Sequence, residues 1–65
     1  MAHVSPERLD DLRARLEAIS EEIGDLALEV LREAAEQGAT RPPEDEKRLT
    51  RARRAVEKAA GLLSV

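Results

Sequence analysis

The sequence predicts an all-α protein, an antiparallel two-helix hairpin that dimerises into a four-helix bundle. Three observations predict it. Apolar residues recur at 3-4 spacing in two separate stretches. A short break containing Gly38, Pro42 and Pro43 divides those stretches. The segment Ile19 to Ala35 is also too apolar around its circumference for a single packing partner. Its arc from Gly24 to Ala35 covers roughly 200° at ~100° per residue, where one partner needs nearer ~100°.

Helix 1 is expected over about residues 6–37. Ser5-Pro6-Glu7 is its start. The Ser5 hydroxyl can accept an orphan backbone N–H, and proline suits the first helical position. Glu7, Asp10 and Asp11 complement the positive end of the macrodipole. Leu9, Leu12, Leu16, Ile19, Ile23, Leu26 and Val30 then alternate at 3-4 spacing, the pattern of knobs-into-holes packing. Glu33 takes the next position and weakens the seam. Gly24 costs ~1 kcal/mol relative to Ala inside a helix, and a close helix crossing would explain it, with a mild bend as the alternative.

Gly38 is the expected stop, and residues 38–42 the turn. Helix 2 is expected over about 43–63, opened by Pro43 and by Glu44, Asp45 and Glu46 in its first turn. Its seam is Leu49, Ala52, Val56, Ala59 and Leu63. Gly61 either caps the helix or lies within it. The short turn makes the helices antiparallel neighbours. Folded about residue 41, the hairpin sets Val30 against Ala52, Leu26 against Val56, Ile23 against Ala59 and Ile19 against Leu63. Leu9, Leu12 and Leu16 are then left without an intrachain partner. The whole of 1–65 reads as one hairpin domain.

Composition narrows the function classes. The chain has 65 residues, no Cys and no aromatic residue, and 38% of it is charged. It therefore has no disulfide framework, thiolate zinc site or thiol nucleophile. With no disulfide or metal to staple so small a chain, oligomerisation remains. No apolar run approaches the ~18 residues of a membrane span. The N-terminus lacks the apolar core of a signal peptide, so a cytoplasmic location is expected.

No catalytic, cofactor-binding or metal-binding set emerges. His3 is the only His and has no companion ligand. Glu44-Asp45-Glu46 lacks the alternating oxygens and the glycine of a calcium loop, and reads as first-turn capping. No Ser–His pair or glycine-rich phosphate loop is present. The expectation is therefore no enzyme and no cofactor. One segment, Leu9-x-x-Leu12-Arg13-x-x-Leu16-x-x-Ile19, resembles the opening helix of the all-helical chorismate mutases. That resemblance implies an intertwined dimer in which Arg and Lys from both chains hold a dicarboxylate. It spans one stretch of heptad. Leu31 stands where a further cation would be wanted on the same face, and a third helix is missing.

The main expectation is an interaction module whose partner is a second copy of itself, with Leu9, Leu12, Leu16, Gly24, Leu28 and Leu31 in the dimer interface. A closed two-fold, antiparallel arrangement is the commonest solution. The alternative is a regulatory adaptor. Residues 1–46 carry 5 basic and 13 acidic side chains, and residues 47–65 carry 6 basic and 1 acidic. Glu29, Glu33 and Glu36 are the expected partners of Arg48 and Arg53. Lys47, Arg51, Arg54 and Lys58 form a basic stripe opposite the helix 2 seam, suited to an acidic protein or to phosphates. Without aromatic stacking platforms, and on a chain of net charge −3, nucleic acid is not the expected partner.

Overall fold

A computed structural model describes residues 3–64. The sequence predicts fraying from Met1 to Val4, and the first two of these residues lie outside the described residues. The fold is two helices packed against each other, α1 (Pro6–Glu36) and α2 (Glu44–Leu63). Ser5 caps α1, its Oγ accepting the Arg8 N–H at 3.2 Å, and Pro6 opens the first turn. The carboxyl end of α1 is closed by backbone. Gly38 takes φ +82° and donates to the Ala35 carbonyl at 3.0 Å, and Ala39 donates to the Ala34 carbonyl at 2.9 Å. These are the paired bonds of a Schellman motif, which needs a left-handed residue at the Gly38 position.

Pro43 stands just ahead of α2 in extended conformation (φ −68°, ψ 159°) and offers no side-chain cap. The first turn of α2 instead carries Glu44, Asp45 and Glu46. Glu46 Oε1 accepts the Thr50 hydroxyl at 2.8 Å. Gly61 lies inside α2, which runs on to Leu63, and the Ser64 N–H closes on the Gly61 carbonyl at 3.2 Å.

The seam between the helices differs from the expected one. On α1 it comprises Leu9, Arg13, Leu16, Ser20, Ile23, Ala27, Val30 and Ala34. Leu9, Leu16, Ile23 and Val30 are therefore shared with the expected seam. Leu12, Ile19 and Leu26 are not, and remain 45%, 44% and 48% exposed. The physical reason is closeness. Ser20 and Ala60 are the two buried residues among those described, at 7% and 6% exposure. Small side chains facing each other let two helices approach more closely than opposed leucines do.

The register differs as well. Arg13 donates to Ser64 Oγ at 3.2 Å, and the Arg53 guanidinium lies over Gly24. Both pairs centre on residues 38 to 39 rather than on 41. The helices are thus slid by five residues, about one and a half turns, relative to the expected pairing, so α2 reaches back to Arg13 and only the first two turns of α1 project beyond it. The expected ion pairs between helices are absent too. The four ion pairs among the described residues all lie within one helix, and Arg53 pairs with Glu57 at 3.4 Å.

Candidate interaction surfaces

A two-helix hairpin has two broad sides, and here they differ in chemistry. One side is a groove, polar toward the chain ends and mixed toward the turn. Toward the chain ends it is lined by Arg13, Glu17 and Ser20 of α1 with Glu57, Ala60 and Ser64 of α2. Toward the turn it is lined by Gly24, Leu28 and Leu31 with Glu46, Thr50 and Arg53. Arg13 anchors the first part. Its Nη1 donates to Ser64 Oγ and its Nη2 to Asp10 Oδ1, each at 3.2 Å, while its Nε is buried without a partner. In the second part, a Cβ added to Gly24 would come within 3.2 Å of Arg53 Nη1. The glycine thus makes room for an arginine side chain rather than for a helix backbone.

The opposite side carries leucines. Residues 12, 19 and 26 each precede a groove-side residue (13, 20 and 27) by one position, about 100° around the helix. Leu12, Ile19 and Leu26 therefore line up on the far side of the seam at seven-residue intervals, each nearly half exposed. On α2 the groove side holds Thr50, Arg53, Glu57 and Ser64. By helical spacing its far side is Arg48, Ala52, Ala55, Ala59 and Leu62, with Arg48 exposed and Leu62 76% exposed. From Ala52 onward these residues make one apolar face with the leucines of α1, and Arg48 borders it toward the turn.

The six residues read from the sequence as a dimer interface fall on three surfaces. Leu16 is half-buried in the hairpin's own seam, and Leu9, also half-buried, continues the same stripe in the turns that project beyond α2. Leu12 lies on the leucine side. Gly24, Leu28 and Leu31 lie on the groove side, with Leu28 at 48% and Leu31 at 38% exposure. Ile19 and Leu26, which the sequence reading placed inside the hairpin, share the leucine side with Leu12. The seven-residue interval of these three was the available signal.

The basic stripe is on the back of α2. Lys47, Arg51, Arg54 and Lys58 are all exposed. Lys47 pairs with Glu44 at 3.7 Å, and the other three form no ion pair among the described residues. Among the described residues no cluster of His, Cys, Asp or Glu is placed to hold a metal ion, and no helix is long and apolar enough to cross a membrane.

Fold and surfaces together define a helical hairpin with a leucine-bearing side and a groove that is polar toward the chain ends and carries Leu28 and Leu31 toward the turn. Comparison with known proteins finds no protein family, curated protein or solved structure that matches the chain.

Proposed function

We propose that this chain is a non-enzymatic structural and interaction module that homodimerises, two hairpins packing side to side as a four-helix bundle. One observation carries the reading: the single hairpin leaves far too much surface in water. Its accessible surface is 5524 Å². A compact folded monomer of 7.2 kDa exposes about 4,100 Å². The radius of gyration is 15.7 Å, against about 11 Å for a compact domain of this length. No large side chain among the described residues is fully buried.

A second copy accounts for that excess. Two chains packed to the area of a compact protein of twice the mass would expose about 6,800 Å², burying on the order of 4,000 Å² between them. Obligate homodimers bury about 2,000–5,000 Å². Light scattering or sedimentation at micromolar concentration should give about twice the 7.2 kDa chain mass. A stably helical monomer at that concentration would overturn the reading.

A second reading, the adaptor, is favoured by the stripe itself. Three cations of α2 lack ion-pair partners among the described residues and face away from α1. The stripe stays exposed in the bundle, so an acidic protein surface could dock there without competing with dimerisation.

A further inference from the structure

Resting on the homodimer reading, we infer that the second copy seats on the leucine side in one orientation. It lies antiparallel, α1 on α1 and α2 on α2, about a two-fold axis perpendicular to the helices at the level of Ile19. The apolar face itself has this symmetry. Leu12 and Leu26 are each seven residues from Ile19. The axis sets Ile19 beside Ile19 of the second copy, and Leu12 beside its Leu26.

Charge selects the same axis. Bordering the leucines on the outer flank of α1 are Arg8, Arg15, Glu22 and Glu29, again at seven-residue intervals. Of these four, the cations occupy the amino-terminal half and the carboxylates the other, with Asp11 on the same flank beside Arg15. The antiparallel axis brings Arg8 to Glu29 and Arg15 to Glu22 of the second copy, each pairing occurring twice. A parallel dimer would oppose like charges, which an interface disfavours strongly. Within the hairpin, Arg8, Glu22 and Glu29 form no ion pair among the described residues. Arg15 meets Asp11 at 3.6 Å with both side chains 69% exposed, and its five-donor guanidinium can serve a second carboxylate. Glu33, next in the leucine series, falls opposite Ser5 of the second copy, at the positive end of that copy's α1.

The second helix agrees independently. A register centred on residues 38 to 39 sets Lys58 and Ala59 level with Ile19. The same axis therefore brings Ala59 to Ala59 of the second copy, and Leu62 to its Ala55, large against small. A two-fold axis running along the helices would instead lay α1 over α2 of the second copy. Arg15 would then face Leu62 and Glu22 would face Ala55, each charge set against an apolar side chain.

The chain has no native Cys, so single-cysteine variants report the geometry directly. With oxidised glutathione, Ile19→Cys and Ala59→Cys should each give disulfide-linked dimers alone. Leu12→Cys should link to Leu26→Cys in a mixture, and not to itself. The mass of each reduced variant is measured alongside. A dimeric mass with Ile19→Cys linking only to Ala59→Cys would place α1 on α2 and overturn this arrangement while leaving the dimer intact. Self-linking by Leu12→Cys would show a parallel dimer and also overturn it. A monomeric mass for the unmodified chain would overturn the homodimer reading itself. Arg8→Glu with Arg15→Glu should weaken dimerisation at least tenfold, and adding Glu22→Arg with Glu29→Arg should restore it. No restoration would overturn the charge pairing.

Discussion

Leu12, Ile19 and Leu26 sit one residue ahead of Arg13, Ser20 and Ala27 on the same helix, yet the two sets meet opposite fates. The first set stays close to half exposed. Of the second, Ser20 is buried and Arg13 and Ala27 are half-buried between the helices. The larger aliphatic side chains are thus outside, and small or polar ones inside. Burying an aliphatic side chain fully is worth about 2 kcal/mol, so each of the three leaves roughly 1 kcal/mol unrealised in the single hairpin. Small residues share the seam with Leu16, Ile23 and Val30 and permit a close approach of the helices, while Leu12, Ile19 and Leu26 stay open to contact with another chain. In the proposed homodimer, folding and assembly would be one process, as in obligate homodimers without a stable monomer.

The largest expected effect comes from placing a charge on each side in turn. Ile19→Glu puts a carboxylate beside its own symmetry mate in an apolar contact. We expect a loss of about 3 kcal/mol or more, the size associated with burying an unpaired charge. At micromolar concentration the dimer should dissociate and most helical circular dichroism disappear. Leu28→Glu and Leu31→Glu change residues of similar exposure on the groove side. Each should shift stability by about 0.5 kcal/mol and leave the mass unchanged, as surface sites do. If Leu31→Glu dissociates the protein and Ile19→Glu does not, the interface lies on the groove side.

Glycines refine the contrast at about 1 kcal/mol. Gly61 is exposed within α2, with nothing within 4 Å of an added Cβ. Gly61→Ala should therefore stabilise by about 1 kcal/mol, the helix propensity difference. Gly24→Ala should gain less, because the new methyl meets the Arg53 guanidinium at 3.2 Å and must displace it. That side-chain tip is flexible, so the sign stays favourable. Gly38→Ala should cost about 1 kcal/mol, since its φ of +82° suits glycine. Thermal unfolding of the three variants at one protein concentration measures all three shifts. A Gly24→Ala variant that dissociates would again move the interface to the groove side.

Much of the fold was legible in the sequence because two all-helical stretches and a Gly–Pro break admit few arrangements. Leu9, Leu16, Ile23 and Val30 occupy the centre of the packing stripe in any version of the 3-4 pattern. Which flank joins them was not legible. The sequence favours Leu12, Ile19 and Leu26 on hydrophobicity alone. The seam takes Arg13, Ser20 and Ala27, side chains that hydrophobicity does not select, two of them small enough to permit a close helix approach. The register was hidden for a related reason. Small residues such as Ala59 and Ala60 fit a helix in more than one position, so a slide of five residues leaves no mark on the apolar spacing. Ion pairing between an acidic and a basic helix was a poor guide. Pairs at i, i+3 and i, i+4, such as Arg53 with Glu57, form within each helix at less cost in side-chain ordering.

The smallest expected effect belongs to the back of α2, the surface that neither side of the hairpin uses. Lys47, Arg51, Arg54 and Lys58 face water. Only Lys47 has an ion-pair partner among the described residues, at 3.7 Å. Replacing all four with Gln keeps helix propensity nearly the same. Stability should change by about 1 kcal/mol or less, and the dimeric mass should not change. The same variant separates the two functional readings. If the stripe grips phosphates, the unmodified protein should hold nucleic acid at low salt and lose it steeply as salt rises, through counterion release. The four-Gln variant would then bind far less at every salt concentration. For a module whose partner is its own copy, we expect no measurable nucleic-acid binding at physiological salt by either protein. The stripe has no aromatic residue to stack on bases and sits on a chain of net charge −3. Tight, salt-sensitive binding that vanishes in the variant would make the back of α2, rather than the leucine side, the surface on which the function rests.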